Sequence, residues 1–81
     1  EENVLSSVTL YPNPVSSYMQ VELDDYASFE LINSAGQLVM SQKVEAGSSS
    51  IEFADVNNGI YFARFIMDSG ATEVHKIVVN K

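Results

Sequence analysis

The longest apolar run of the chain, residues 59–67, places the strongest constraint on its fold. Every second side chain in the run is apolar apart from one tyrosine hydroxyl: Tyr61, Ala63, Phe65 and Met67. The intervening side chains are apolar except for Arg64. Because successive residues of a strand point to opposite faces, the pattern predicts a central strand that is buried on one face and partly covered on the other.

Shorter segments with alternating apolar residues recur about every ten residues, separated by turn residues. Together with the central run they predict strands at residues 8–11, 18–23, 28–33, 38–44, 51–53, 59–67 and 72–80. Residues 47–50, Gly-Ser-Ser-Ser, are predicted to form a polar loop. No segment has a sustained apolar period of 3.6 residues, so no helix is expected. This regular spacing of short strands and turns predicts an all-β fold, an immunoglobulin-like antiparallel β-sandwich of about seven strands. A small closed barrel is the alternative.

Size and charge exclude several classes of protein. A chain of 81 residues allows one domain with one small core. It has no cysteine, and therefore neither a disulfide framework nor a thiolate metal site. No apolar stretch is long enough for a transmembrane segment. The net charge of −7 has the wrong sign for binding nucleic acid or an anionic membrane surface.

Turn residues explain most of the glycines and prolines. Residues 33–36, Asn-Ser-Ala-Gly, suit a type I turn that ends in a left-handed residue, which is a tight hairpin with a bulge. Gly59 follows two asparagines, and residues of these types tolerate positive φ. Pro12 and Pro14 end the first strand, since neither can donate a backbone hydrogen bond.

No residue pattern indicates catalysis or a metal site. The single histidine, His75, lies halfway along a predicted strand, and no G-x-S-x-G motif accompanies the serines. Asp24 and Asp25 are adjacent in a predicted turn and lack the D-x-D-x-D-G spacing of a calcium loop. We therefore expect no enzyme, no catalytic residues, no cofactor and no metal.

Three aromatic residues, Tyr18, Tyr26 and Phe62, fall on faces opposite the predicted core. Tyr18 and Phe62, with Ile66, are a candidate partner patch. Such residues could stack on sugars or anchor a protein, which makes a carbohydrate- or protein-binding accessory module the alternative function. They could equally cover the second face of a sheet.

Four segments, in order, form a pattern typical of one known family. They are residues 8–14, Val-Thr-Leu-Tyr-Pro-Asn-Pro; residues 31–39, Leu-Ile-Asn-Ser-Ala-Gly-Gln-Leu-Val; residues 56–64, Val-Asn-Asn-Gly-Ile-Tyr-Phe-Ala-Arg; and residues 76–79, Lys-Ile-Val-Val. Together they resemble the type A C-terminal sorting domain of cargo proteins of the type IX (Por) secretion system of Bacteroidetes. The resemblance covers the chain from Val8 to Lys81. Departures are small: the family often has an acid at Asn33 and leucine at Val56.

The resemblance implies a non-catalytic secretion signal at the end of a larger cargo protein. It implies that residues 1–7 are a linker remnant from the upstream cargo and that residues 8–81 are the sorting domain. The implied partners are the outer-membrane translocon, which recognises the folded domain in the periplasm, and a sortase-like peptidase, which removes it. The cargo would then be anchored on the outer membrane surface or released outside the cell.

Carried over by position, the resemblance gives a set of sorting-motif residues. They are Tyr11, Pro12, Asn13, Pro14, Gly36, Gly59, Tyr61, Lys76, Ile77, Val78, Val79 and Lys81. Physical reasoning gives the prolines, the glycines and Tyr61 structural roles. The last strand is the better candidate for direct recognition, because it is terminal, lies near the few basic residues and could pair with a partner strand if it is at a sheet edge.

Overall fold

The structure is a computed structural model and describes residues 8–81. Its strands in this range are β1 (Val8–Tyr11), β2 (Tyr18–Leu23), β3 (Ala27–Asn33), β4 (Leu38–Val44), β5 (Gly47–Glu52), β6 (Gly59–Met67) and β7 (Thr72–Val79). Two antiparallel sheets have the orders β1-β2-β5 and β4-β3-β6-β7. The prediction of an all-β, immunoglobulin-like sandwich is confirmed, and the closed-barrel alternative is wrong. The predicted linker remnant, residues 1–7, lies outside the described residues.

The core fills the space between the two sheets, and β6 contributes most to it. β6 lies between β3 and β7, as expected for a central strand. Its side chains at positions 61, 63, 65 and 67 are buried, and Phe65 packs on Phe29 of β3 with ring centroids 5.2 Å apart. From the opposite sheet, Met19 and Val21 of β2 are fully buried. The alternation in these strands therefore determined which faces pack together.

The prediction of a polar loop at residues 47–50 is wrong, because these residues form most of β5. Their backbone pairs with β2, with Ser49 opposite Val21 and Ser48 opposite Glu22. β5 is an edge strand, and its outward serines remain solvated while Ile51 is buried. Backbone pairing with β2 thus outweighs the low strand propensity of a Gly-Ser segment, which local sequence cannot reveal.

The β3–β4 hairpin has the predicted turn. The N–H of Gly36 donates to the carbonyl of Asn33 at 2.9 Å, and the N–H of Asn33 donates to the carbonyl of Gln37 at 2.9 Å. The side-chain oxygen of Asn33 accepts two further backbone hydrogen bonds, from Ala35 and Gln37. Gly36 has φ of +87°, a left-handed conformation that disfavours any side chain.

Gly36→Ala is expected to lower the free energy of unfolding by about 1–2 kcal/mol, the conformational cost of a left-handed alanine. A Cβ at this position would meet no atom within 4 Å, so steric clash contributes nothing. Gly36→Asn should cost less, because asparagine tolerates this conformation. Urea unfolding of the three proteins checks the order, and equal losses for both variants would contradict it.

Candidate functional site

The first and last sequence motifs meet at the outer edge of β7. There the side chain of Asn13 acts like a short piece of strand. Its Oδ1 accepts a hydrogen bond from the N–H of Val78 at 3.1 Å, and its Nδ2 donates to the carbonyl of Lys76 at 3.4 Å. The amide therefore satisfies backbone groups that an edge strand otherwise leaves to solvent.

Val15 extends this contact with its own backbone. Its N–H donates to the carbonyl of Val78 at 2.8 Å, and its carbonyl accepts from the N–H of Asn80 at 2.8 Å. Val15 pairs in parallel with Val79, and its side chain is fully buried in the core. We call residues 13–15 the β7 cap. The second half of the Y-P-N-P motif is thus part of the segment that covers the end of β7.

β7 is an edge strand, as strand addition requires, but only part of its edge is open. Backbone groups of alternate residues point to the same side of an antiparallel strand, so those of Val74 point outward like those of Val78. The β7 cap contacts the strand at Lys76 and Val78, and it also binds Asn80. In the described part of the chain, the edge at Thr72 and Val74 has no such covering segment. A partner strand can pair there without displacing the cap.

Lys81 is held by the loops that precede β6. Its backbone N–H donates to Oδ1 of Asn58 at 2.9 Å, and its Nζ donates to the carbonyl of Ala54 at 2.8 Å. The ammonium is therefore partly occupied by an internal contact. The two hydrogen bonds of Lys81 fasten the chain beyond β7 to the loop that precedes β6.

Tyr61 and Gly59 of the third motif form a tyrosine corner. The Tyr61 hydroxyl donates to the carbonyl of Asn57, four residues upstream, at 2.7 Å. Gly59 has φ of +155°, and a Cβ there would lie 3.6 Å from the Tyr61 ring. Tyr61 is buried, so its side chain holds the loop against the core, whereas Gly59 is exposed.

Tyr11 of the first motif is exposed, and its hydroxyl donates to Oε2 of Glu22 at 2.8 Å. This hydrogen bond to the carboxylate raises the pKa of Tyr11 above its usual value of about 10, and the negative charge of Glu22 adds to the effect. The contact joins β1 to β2 on the solvent face.

Glu22→Gln is expected to bring the pKa of Tyr11 down toward its usual value, because both the charged acceptor and the like charge are removed. The titration of the Tyr11 ring, followed by NMR between neutral and strongly alkaline pH, measures the change. An unchanged Tyr11 titration would show that the hydrogen bond is not populated in solution.

The candidate patch of Tyr18, Phe62 and Ile66 is not one surface. Tyr18 points outward from the three-stranded sheet, whereas Phe62 and Ile66 point outward from the four-stranded sheet. Tyr26 precedes β3, at the opposite end of that strand from the pairing with Phe62. Tyr18, Tyr26 and Phe62 are therefore too dispersed to form a shared platform for stacking on sugars.

The residues weighed for chemistry form no site. His75 is half-buried, its ring lies edge-on to Phe65, and its Nε2 is 3.0 Å from Oε1 of Glu73. No group of His, Cys, Asp and Glu that could hold a metal occurs within residues 8–81. The same residues include no helix that is long and apolar enough to cross a membrane.

Comparison with known proteins places the chain in one family. The model of the secretion system C-terminal sorting domain matches residues 9–80. The chain belongs to this family. It is a C-terminal sorting domain of type IX secretion, as the sequence motifs indicated.

A solved structure similar to this sorting domain is that of PorZ from Porphyromonas gingivalis, described as an essential bacterial surface component of the type-IX secretion system. The match has a TM-score of 0.67 at 17% identity and covers 91% of this chain. It spans 11% of the PorZ chain, so the likeness concerns the fold of one domain. No curated protein matches the chain.

The sorting domain also has an exposed apolar surface that the sequence interpretation mostly missed. Leu38, Ile32 and Phe62 are successive cross-strand neighbours on the outer face of the four-stranded sheet. Ile60, two residues before Phe62 on β6, is paired with Val78. We call these five residues the outer patch. The sequence did contain a signal for this surface. Leu38 comes two residues after Gly36 and Ile60 directly after Gly59, and both are apolar residues at positions that point away from the core.

Beside the outer patch, Arg64 of the third motif forms an ion pair across the strands. Its Nε and Nη2 both donate to Oε1 of Glu30, at 2.8 and 2.5 Å. Both side chains are partly exposed, so solvent screening keeps the contribution to stability small. The pair marks the polar boundary of the patch.

Proposed function

We propose that this sorting domain directs an upstream cargo protein through the outer membrane by binding the type IX translocon in the periplasm. The observation that carries the proposal is the family match over residues 9–80, essentially the whole folded domain. The domain acts as a binding module, and the translocon supplies the transport. The cargo lies upstream in the same precursor. Residues 1–7 are the remnant of the linker that joins it to the sorting domain, residues 8–81.

We further propose that a sortase-like peptidase cuts the precursor N-terminal to β1, followed by anchoring of the cargo at the cell surface. The β-sandwich is held together at both ends of the described chain, since β1 pairs with β2 and the end of β7 is capped. A compact domain resists proteolysis, so we expect the cut in the acidic, unpatterned sequence before Val8.

For recognition, we propose that a translocon strand adds to the open edge of β7 at Thr72 and Val74. Backbone hydrogen bonds supply affinity in this mode, and pockets for alternate side chains supply specificity. The mode suits the exposed Val74, whose side chain is 58% exposed and whose N–H points outward.

A fusion of residues 1–81 to a periplasmic reporter, expressed in a host with this secretion system, tests the function. Intact fusions should reach the surface or the medium, and fusions lacking residues 78–81 should stay in the periplasm. The deletion also removes Val79, which is buried. Thermal unfolding of both purified proteins must therefore accompany it. Periplasmic retention of the intact fusion, or equal secretion of the deleted one, would contradict the proposal.

Val74→Pro separates recognition from folding. Proline is tolerated where the lost N–H faces solvent, so the variant should fold, yet it cannot complete the ladder with an added strand. We expect its secretion to fall about tenfold or more, equivalent to about 1.4 kcal/mol of binding. Val74→Ala is the matched control: it keeps the backbone N–H and removes only side-chain contacts, so it should be secreted clearly better than Val74→Pro. Full secretion of a folded Val74→Pro protein would exclude strand addition at this edge.

A further inference from the structure

The two outer faces of the sandwich differ sharply in charge. The four-stranded sheet directs three basic side chains outward, Lys43, Arg64 and Lys76, against the single carboxylate of Glu30. Its outer face therefore has a formal charge of +2, although the chain carries −7. The three-stranded sheet directs Glu22 and Glu52 outward with no basic residue, a formal charge of −2.

The outer patch lies on the positive face, at the end nearest the β3–β4 hairpin. Leu38 is 59% exposed, Ile60 47% and Phe62 38%, and Ile32 and Val78 fill the spaces between them. Lys76 lies opposite Phe62 at the margin, and Arg64 follows two residues along β6. The arrangement is an apolar centre with a polar rim, the anatomy of a protein interface: Arg64 is paired with Glu30, and Lys76 adds a further positive charge.

We propose that the outer patch is a docking surface for a folded protein whose complementary surface is apolar at its centre and bears carboxylates at its rim. The inference rests on the proposed sorting function and assigns part of the translocon contact to this face. Charge complementarity selects the partner, because this face has a formal charge of +2 in an acidic chain and Lys76 lies at the margin of the outer patch. Such a distribution steers an acidic partner to this side and away from the three-stranded sheet.

Two other occupants fit the surface less well. A second copy meeting this face by two-fold symmetry would place the same basic side chains near one another, since a two-fold interface uses the same patch on both subunits. A lipid surface is bound by side chains that reach about 5–10 Å into the bilayer. The outer patch is instead part of a sheet surface, with its side chains only partly exposed, and cannot insert so deeply.

The experiment uses the reporter fusion with residues 1–81. We expect Leu38→Ser and Ile60→Ser each to reduce the secreted fraction about tenfold, a typical loss for an interface anchor. Lys76→Glu should reduce it as well by reversing a rim charge. Tyr18→Ser, which removes a side chain of similar exposure (51%) from the other sheet, should leave secretion unchanged. Because Leu38 and Ile60 lie on different strands, at least one folded variant should be obtained, as unfolding curves will show.

Photocrosslinking identifies what contacts the patch. A photoreactive benzoylphenylalanine at position 62 should crosslink to an outer-membrane protein of the secretion machinery, and the same group at position 18 should not. Wild-type secretion combined with unchanged secretion of folded Leu38→Ser and Ile60→Ser proteins would overturn the docking surface while leaving the sorting function intact. Failure of the wild-type fusion to be secreted would instead count against the sorting function itself.

The other occupants are tested with the purified fusion. It should not bind vesicles of phosphatidylethanolamine and phosphatidylglycerol, with or without lipopolysaccharide, and should sediment as a monomer. Vesicle binding that Ile60→Ser abolishes would overturn the proposal in favour of a lipid surface. A dimer that Ile60→Ser dissociates would overturn it in favour of a second copy.

Discussion

Tyr61→Ala is expected to lower the free energy of unfolding by about 3–5 kcal/mol, as is typical for truncating a buried aromatic side chain. The ring lies in the core between the sheets, and its hydroxyl holds the carbonyl of Asn57 at 2.7 Å. Since small domains have total stabilities of about 5–15 kcal/mol, the variant should be partly unfolded or close to it at 37 °C. Urea unfolding followed by circular dichroism measures the loss.

Tyr61→Phe is the matched control, because it keeps the ring and removes only the hydroxyl. We expect a loss of about 0.5–1.5 kcal/mol from the hydrogen bond to Asn57. The difference in the free energy of unfolding between the two variants gives the contribution of the packed ring, separately from that of the hydroxyl hydrogen bond in the tyrosine corner. If Tyr61→Phe lost as much stability as Tyr61→Ala, the hydroxyl rather than the buried ring would be the main contribution, contrary to the structure.

Val15→Ala is expected to have the second-largest effect, a loss of about 2–3 kcal/mol from two buried methyl groups and the cavity they leave. Val15 is fully buried and carries the backbone of the β7 cap against Val78 and Asn80. Loosening the cap should therefore expose these two amides. Native-state hydrogen exchange should show faster exchange at Val78 and Asn80, with little extra change at Ile77, whose amide faces β6.

Asn13→Ala is the companion variant, because it removes the side-chain part of the cap and keeps Val15 in the core. It should accelerate exchange of the Val78 amide, which donates to Asn13, more than that of the Asn80 amide, which donates to Val15. The Val74 amide faces outward beyond the cap and should exchange quickly in all three proteins. Slow, unchanged exchange at Val78 in both variants would show that the cap does not protect the edge.

The strands with clear alternation were predictable from sequence, because side-chain periodicity is a local property. β2 and β6 have the bounds expected, and the predicted type I turn with bulge forms at Gly36. β5 was predicted only in part, because the pairing of its serines with β2 depends on a strand more than 20 residues away. Long-range backbone pairing of this kind leaves no local signal.

The candidate site was predictable as a set of positions but not as an arrangement. Sequence placed Asn13 and Val78 in separate motifs, and only the fold shows that one binds the other. Val15 was missed because a single valine after Y-P-N-P has no periodic pattern. The outer patch was also mostly missed, since its members lie on four strands whose order the sequence does not specify.

Most of the family motif therefore has a role within the fold. Tyr61 and Gly59 form the corner, Asn13 caps β7, and Lys81 fastens the chain end. In the described part of the chain, two surfaces proposed for a partner lie on the four-stranded sheet: the edge of β7 at Thr72 and Val74, and the outer patch. The family segments thus have two roles: they stabilise the fold, and residues 31–39, 56–64 and 76–79 also supply all five residues of the outer patch.

Dependence on the translocon tests the sorting function most directly. The fraction of reporter outside the cell is measured for the fusion with residues 1–81 in two hosts, one with an intact type IX translocon and one in which the translocon is inactivated. A sorting signal predicts reporter at the surface or in the medium only in the first host, and folded reporter in the periplasm of the second. Equal export from both hosts, or retention in both, would contradict it.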